Sequence, residues 1–103
     1  MQKKIFFDKN SERELKRFSR PVQQTFLAYM QVLSELGRLE PPDAKKLTQD
    51  LFEIRVRKQG SYRGFYAYIQ NDYIVILHFF HKKTQKTPIN HIKIAQSRLQ
   101  KYD

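Results

Sequence analysis

Hydrophobic residues in the first half of the chain recur every three or four positions, which is the period of an amphipathic helix. Ser19 and Pro21 predict the start of this helix, because proline suits the first helical turn, and Gly37 predicts its end as a C-terminal cap. Ser11 followed by Glu14 predicts an earlier helix that begins with a capping box. We therefore expect two consecutive helices that form a hairpin. The apolar stripe of the second helix comprises Val22, Phe26, Tyr29, Leu33 and Leu36.

In the second half of the chain, the hydrophobic pattern changes to the period of two that is typical of strands. Apolar and charged residues alternate in the first strand, whereas the third is almost continuously apolar, as expected for a strand covered on both faces. Turn residues at 59–61 and 71–72 separate the strands, so we expect an antiparallel meander. A further short strand at residues 5–8 could pair at the edge of this sheet. The three strands of the predicted meander are residues 51–57, 62–70 and 73–80.

Residues 88–102 return to helical spacing, with Thr87 as the predicted cap and Pro88 at the first helical position. The sequence thus predicts an α+β fold in which a helical hairpin packs on a small antiparallel sheet and a C-terminal helix follows. The length of 103 residues is that of one domain, so we expect residues 1–103 to form a single domain.

Composition narrows the class of protein. The chain has no cysteine, which excludes disulfides and cysteine-bound zinc and favours the reducing cytoplasm. The N-terminal apolar run is too short for a signal peptide, and no segment approaches the length of a membrane span, so we expect no membrane contact. The net charge is +10, and residues 54–103 carry ten Lys or Arg against two Asp. This uneven positive charge predicts a polyanionic ligand, in particular a nucleic acid.

The basic residues of the second half cluster where the predicted strands begin and end. An antiparallel meander brings these ends together, so we expect a concave sheet face lined with guanidinium and ammonium groups. Tyr66, Tyr68 and Phe80 would be available there to stack on bases, and this combination of basic and aromatic groups suits single-stranded RNA. The basic residues concerned are Arg55, Arg57, Arg63, His81, Lys82, Lys83 and Lys86.

The sequence lacks the residues of a metal-dependent nuclease. The basic half contains no paired carboxylates, and His78, His81 and His91 have no plausible set of metal-ligand partners. Neither a Gly-rich phosphate loop nor an HExxH motif is present. We therefore expect no metal or cofactor, and cleavage of RNA would proceed by attack of the ribose 2′-hydroxyl on the adjacent phosphate. That reaction needs a proton acceptor, cations that stabilise the phosphorane, and a proton donor for the leaving 5′ oxygen.

Three segments of the second half, together with Ala95 and Arg98, resemble the HigB-like branch of the RelE/ParE superfamily, which includes phage-derived relatives. The resemblance runs from about residue 46 to the C-terminus. It implies a type II toxin that cleaves messenger RNA in the A site of the 70S ribosome. It also implies a small cognate antitoxin of the HigA-like kind, with a helix-turn-helix. The three segments are Leu51-Phe52-Glu53-Ile54-Arg55, Tyr62-Arg63-Gly64-Phe65-Tyr66 and Ile76-Leu77-His78-Phe79-Phe80-His81-Lys82-Lys83-Thr84-Gln85-Lys86-Thr87-Pro88.

The resemblance also implies roles for individual residues. Arg63 corresponds to the phosphate-binding arginine of the central strand. Tyr102 corresponds in position to a C-terminal tyrosine that RelE uses, but its helical spacing places it on the apolar stripe, so His81 is the better candidate for proton transfer near neutral pH. His78 lies inside an apolar run and is expected either to be a core residue or to support a residue of the site without touching RNA itself. The predicted catalytic residues are Arg55, Arg63, His81 and Lys83. The predicted RNA-binding residues are Arg57, Lys82, Lys86, Tyr66 and Tyr102.

Two other functions are compatible with the same features. A ParE-like protein shares the fold but poisons DNA gyrase through a protein contact, which requires no nuclease residues. A non-catalytic nucleic-acid-binding module would account for the positive charge and for the lack of an evident general base. The convergence of Arg55, Arg63, His81 and Lys83 favours the nuclease, because gyrase inhibition does not require converging basic groups.

Overall fold

A computed structural model describes residues 2–102 as a five-stranded sheet with helices on both faces. The strands are β1 (Lys4–Phe7), β2 (Ala44–Lys46), β3 (Phe52–Arg57), β4 (Ser61–Ile69) and β5 (Tyr73–His81). The helices are α1 (Lys9–Lys16), α2 (Arg20–Leu36) and α3 (Ile89–Leu99), and α3 continues into a single 3₁₀ turn, Gln100–Tyr102. The predicted α+β fold with a C-terminal helix is confirmed.

The strands lie in the order β1-β5-β4-β3-β2. The meander β3-β4-β5 is antiparallel, as the alternating pattern predicts, and β1 adds to the edge of β5 in parallel. The sheet is therefore mixed rather than purely antiparallel. Strand β2, which pairs antiparallel with β3, was not predicted, because three residues are too few to show a period.

Two hydrophobic cores lie on opposite faces of the sheet. Helices α1 and α2 cover one face, here called the hairpin face, and α3 covers part of the other, here called the α3 face. The hairpin-face core includes Leu15, Val22, Phe26, Met30, Leu33, Ile54, Val56, Tyr66, Ile74, Ile76 and Phe79. The α3-face core includes Leu51, Phe65, Ala67, Ile69, Val75, Leu77, Phe80, Ala95 and Leu99.

The ends of α2 follow the sequence signals. Ser19 is the N-cap, Pro21 lies in the first turn, and Gly37 caps the C-terminus with a φ of 80° and donates its N–H to the Leu33 carbonyl. The apolar stripe is buried over most of its length, but Leu36 is 65% exposed and Met30 is buried instead.

The other two helices begin at different caps from those predicted. Asp8, not Ser11, caps α1, and its side chain accepts a hydrogen bond from the Asn10 N–H. The Ser11 hydroxyl instead donates to the carbonyls of Asp8 and Ile76, at 2.7 and 2.8 Å, so the predicted capping box with Glu14 is wrong. Pro88, rather than Thr87, is the N-cap of α3.

Gly64 is required by close packing on the hairpin face. A Cβ atom at this position would lie 2.8 Å from Phe79 Cε1 and 3.2 Å from Phe26 Cε1, and both rings are buried in the core. Gly64→Ala is therefore expected to lower the free energy of unfolding by about 1–3 kcal/mol through overpacking. Thermal melting of the two proteins would measure this difference. An unchanged melting temperature would show that the rings can shift to admit the methyl group.

Candidate functional site

A row of paired residues crosses the open end of the α3 face. Arg55 on β3 pairs with Arg63 on β4, and Arg63 pairs with Phe80 on β5. Directly paired residues point to the same face of a sheet, so the two guanidinium groups and the Phe80 ring are neighbours. The adjacent row contains Lys45, Glu53, Phe65 and His78. We call the group Lys45, Arg55, Arg57, Arg63 and Lys82 the basic face.

Glu53 lies buried at the centre of the basic face and holds its arginines together. Its carboxylate is 1% exposed and accepts a hydrogen bond from Arg55 Nε at 3.0 Å. The Arg63 Nε lies 3.6 Å from the other carboxylate oxygen, and the Thr87 hydroxyl donates to that oxygen at 3.3 Å. Thr87 thereby attaches the connection that precedes α3 to the basic face. One buried anion thus lies against two cationic side chains, Arg55 and Arg63.

Arg63 is buried and only partly satisfied. The residue is 3% exposed, and its Nη1 donates to the Ser61 hydroxyl at 2.9 Å and to the Tyr62 carbonyl at 3.0 Å. Its Nε is buried without a hydrogen-bond partner among the described residues, since 3.6 Å to Glu53 is too long for a hydrogen bond. A buried N–H donor without an acceptor is costly, and the charge of the nearby Glu53 carboxylate offsets part of that cost.

The positive charges of the basic face affect one another's pKa. Burial lowers the pKa of Arg63; the negative charge of Glu53 opposes this, and the positive charges of Arg55 and Arg57 add to it. Burial also lowers the pKa of Lys82, and the neighbouring charge of Arg63 adds to the shift. These cations repel one another, and a bound anion would relieve the repulsion.

The other predicted basic residues are more exposed. Arg57 ends β3, and Lys83 and Lys86 lie exposed in the connection between β5 and α3. The structure therefore places them where they can contact a long polyanion. Lys45 belongs to the basic face, because it pairs with Glu53, but it was missed since it lies in the unpredicted strand β2.

Two tyrosines predicted to bind RNA do not reach the basic face. Tyr66 is 1% exposed and packs in the hairpin-face core, where its ring stacks on Phe52 with the centroids 5.4 Å apart. Tyr102 donates its hydroxyl to Asp8 at 2.8 Å and packs against Phe6, beside β1. Both predictions are corrected, because Tyr66 is buried in the core and Tyr102 is held on Asp8 and Phe6, away from the basic face. Tyr68 also lies on the hairpin face and donates to the Gly37 carbonyl.

His81 also lies on the hairpin face, away from Arg63. Its exposed ring stacks on Tyr62, with the centroids 4.5 Å apart and an angle of 16° between the rings. The cause is a bulge in β5: Phe65 pairs with His78 and Tyr66 with Ile76, so Leu77 is an extra residue. An extra residue shifts the alternation of every side chain that follows, which moves His81 to the hairpin face. The structure does not bring His81 together with Arg55 and Arg63.

The same bulge directs His78 into a polar cluster with Glu14, His91 and Arg98, which we call the histidine network. His78 Nδ1 lies 2.9 Å from Glu14 Oε1, and His78 Nε2 lies 2.8 Å from His91 Nδ1. Arg98 donates from Nη1 and Nη2 to the two oxygens of Glu14, each at 3.0 Å. Burial alone would raise the pKa of Glu14, but hydrogen bonds from His78, Arg98 and the Phe79 N–H lower it to about 2.

The histidine network borders the basic face. The His91 ring stacks on Phe80 with the centroids 3.9 Å apart and only 8° between the planes, and Phe80 is the strand partner of Arg63. Among residues 2–102, no three His, Asp or Glu side chains are grouped so that they could hold a metal ion. The hydrogen bonds of the network branch at Glu14, which contacts both His78 and Arg98, and its members lie too far apart in the sequence for any periodic pattern to connect them.

The fold is that of the RelE toxins, as comparison with solved structures shows. A free double mutant of the E. coli toxin RelE superposes with a TM-score of 0.71 at 16% identity, covering 98% of both chains. In the archaeal RelE–RelB complex from Pyrococcus horikoshii, the matching chain gives a TM-score of 0.60 at 26% identity, covering 81% of this chain and 98% of that one. A chain of the RelBE2 toxin–antitoxin complex from Mycobacterium tuberculosis gives 0.59 at 19% identity, covering 80% and 100%.

Residues 13–100 match the family of phage-derived Gp49-like proteins, and the chain belongs to this family. The predicted resemblance to the RelE/ParE superfamily is thereby confirmed. A search among curated proteins gives no significant match. Within the described part of the chain, no helix is long and apolar enough to cross a membrane.

Proposed function

We propose that this protein is the toxin of a type II toxin–antitoxin system and a metal-independent endoribonuclease that cleaves messenger RNA in the A site of the ribosome. The observation that carries this proposal is the basic face, where Arg63 lies beside Arg55 and Lys82 and the cations repel one another. Converging guanidinium groups are suited to bind the scissile phosphate and to stabilise the charge that develops on it. The RelE-like fold supports the same reaction class.

The exposed cations have a different role from Arg55 and Arg63 in this proposal. Arg57 is an exposed member of the basic face, and Lys83 and Lys86 are exposed beyond it; all three would contact the flanking phosphates of the message and ribosomal RNA. Such contacts add affinity without reading sequence. Arg55 and Arg63 act at the reacting phosphate. Ribosome dependence also places the protein's activity in the cytoplasm.

A cognate antitoxin is the proposed protein partner. Two of the structurally similar chains come from toxin–antitoxin complexes. The basic face offers an acidic antitoxin segment a surface of complementary charge, so that one contact would both bind the toxin and block its RNA site. A HigA-like antitoxin with a helix-turn-helix remains our expectation for its class.

The test is primer-extension mapping of a messenger RNA in a purified translation system, with and without the protein. We expect breaks within A-site codons, and no breaks when the same RNA is incubated with the protein in the absence of ribosomes. Metal independence is tested separately, by adding EDTA to a stalled, cross-linked ribosomal complex, because EDTA cannot be added to a translating ribosome. An intact message would contradict the proposal, and inhibition of gyrase supercoiling by the same preparation would then establish the ParE-like alternative.

A further inference from the structure

We propose that His91 is the proton acceptor for the ribose 2′-hydroxyl, and that Glu14 and His78 position it for this role. The inference rests on the proposed function and adds the general base that the basic face lacks. It is carried by three arrangements: a hydrogen-bonded chain that ends at His91, a rigid anchor for that chain, and the stacking of His91 beside Arg63.

The hydrogen-bonded chain fixes which nitrogen of His91 is free. A carboxylate only accepts, so His78 Nδ1 carries a hydrogen and donates it to Glu14 Oε1 at 2.9 Å. In the proposed arrangement, His78 Nε2 accepts from the His91 Nδ1–H, at 2.8 Å. This assignment of hydrogens is part of the proposal. It leaves the Nε2 lone pair of His91 unused and able to take a proton.

Glu14 is held more firmly than a surface carboxylate. It lies beside the part of β5 that extends past the end of β1, and it accepts the Phe79 N–H at 3.1 Å. Arg98 donates two further hydrogen bonds at 3.0 Å and a third at 2.8 Å to the Leu77 carbonyl. A base oriented by a fixed, ionised group is the arrangement found where imidazoles act in proton transfer.

His91 lies next to the basic face. The ring is half-buried in the first turn of α3 and lies parallel to Phe80, 3.9 Å away. Phe80 is the direct strand partner of Arg63, so the imidazole stacks on a neighbour of that arginine. In this proposal, a phosphate held by the basic face has its ribose beside His91.

The protonation state of His91 fits this task. Burial lowers its pKa below the ordinary value, and the negative charge of Glu14 opposes the shift. The charged or titratable groups that face it are His78 from β5 and, beyond that ring, Glu14 from α1 and Arg98 from α3. A lowered pKa keeps the imidazole neutral near pH 7, which a base requires.

The reaction balances with groups present in the protein. The 2′-hydroxyl gives its proton to His91 Nε2 while O2′ forms a bond to phosphorus, and Arg55 and Arg63 stabilise the phosphorane. The P–O5′ bond then breaks, and O5′ takes a proton from the ammonium group of Lys82. The products are a 2′,3′-cyclic phosphate and a 5′-hydroxyl. Exchange with solvent returns a proton to Lys82 and removes one from His91.

The test compares two His91 variants with the wild type in single-turnover cleavage of ribosome-bound message. His91→Phe keeps the stack on Phe80 but has no proton acceptor, and His91→Asn keeps a polar partner for His78. Both are expected to fold, to bind ribosomes within about twofold of the wild type, and to cleave about 10²–10⁴-fold more slowly. Asn90→Ala, an exposed neighbour on the same turn, is the matched control.

The pH dependence separates proton transfer from a structural role. The wild-type rate is expected to fall on the acid side as His91 becomes protonated, whereas the residual rates of the two variants should lack this limb. Glu14→Gln, assayed at a temperature at which it is folded, should move the limb to lower pH, because Glu14 raises the pKa of His91. A structural role alone would change the rate without moving the limb.

Each outcome has a definite meaning. If the wild type cleaves and both His91 variants cleave within about threefold of it, the inference is overturned. If His81→Asn abolishes cleavage while the His91 variants remain active, the proton acceptor is His81 instead. If the wild type itself does not cleave ribosome-bound message, the proposed function fails, and the inference fails with it. Loss of activity and of the acid limb in both His91 variants supports it.

Discussion

Arg63→Ala is expected to reduce the rate of mRNA cleavage on the ribosome by about 10²–10³-fold, the typical cost of removing one donor that stabilises transition-state charge. The reason is that Arg63 lies in the basic face beside Arg55 and Lys82, where the reacting phosphate is proposed to bind. Single-turnover primer extension measures the rate. Arg20→Ala is the control, because it removes the same formal charge from an exposed site at the start of α2.

A second substitution separates catalysis from folding. Arg63 also faces the buried Glu53, so the alanine variant leaves that carboxylate with fewer cationic neighbours and loses stability. Arg63→Lys retains the charge but not the planar fork that bridges two phosphate oxygens. We expect the lysine variant to melt close to the wild type and to cleave at least about tenfold more slowly. Cleavage at the wild-type rate by Arg63→Lys would show that Arg63 serves structure alone.

Glu14→Gln is expected to lower the free energy of unfolding at neutral pH by about 2–4 kcal/mol, and the melting temperature by about 10–20 °C. The carboxylate accepts four hydrogen bonds, from His78, from the Phe79 N–H and twice from Arg98. An amide cannot accept all of them and leaves the guanidinium of Arg98 without its anion. Urea unfolding of both proteins gives the difference.

The effect of Glu14→Gln must also depend on pH. The folded-state pKa of Glu14, about 2, lies below its ordinary value of 4.5, so the folded protein binds a proton less readily than the unfolded chain. The stabilisation is therefore complete above pH 4.5 and is lost as the pH falls towards about 2. Glu12→Gln is the control: Glu12 is exposed on the same helix, 3.8 Å from Lys16, and should change stability by about 0.5 kcal/mol or less at any pH. A difference between Glu14→Gln and the wild type that stayed constant from neutral to acid pH would contradict this account.

Local features of the sequence were sufficient for most of the fold. The helix α2 carries its period, its proline and its glycine cap within 19 residues, from Ser19 to Gly37, and these signals act through neighbouring backbone. The strands β3, β4 and β5 each carry enough residues for the periodic pattern to be evident. The excess of positive charge after residue 53 indicated a polyanion, because charge composition does not depend on how the chain folds.

The pairing of strands across the sheet decided which residues belong to the site. Strict alternation from Val75 and Leu77 would place His81 on the α3 face, beside Arg63. The bulge at Leu77 reverses the alternation, so Phe80 takes that place and His81 faces the hairpin side. The extra residue could not be recognised from the hydrophobic pattern, because β5 is buried on both faces and its apolar run does not alternate with polar residues.

What the sequence alone determined is the set of local elements, the fold class, the resemblance to the RelE/ParE superfamily and the basic character of the second half. What only the tertiary structure decided is which side chains meet: the burial of Arg63 over Glu53, the burial of Tyr66, and the chain from Glu14 through His78 to His91. The contact between Glu14 and His78 joins residues 64 positions apart. Hydrogen bonds of that kind depend on the register of strands and the placement of α3, which arise only when the whole chain packs.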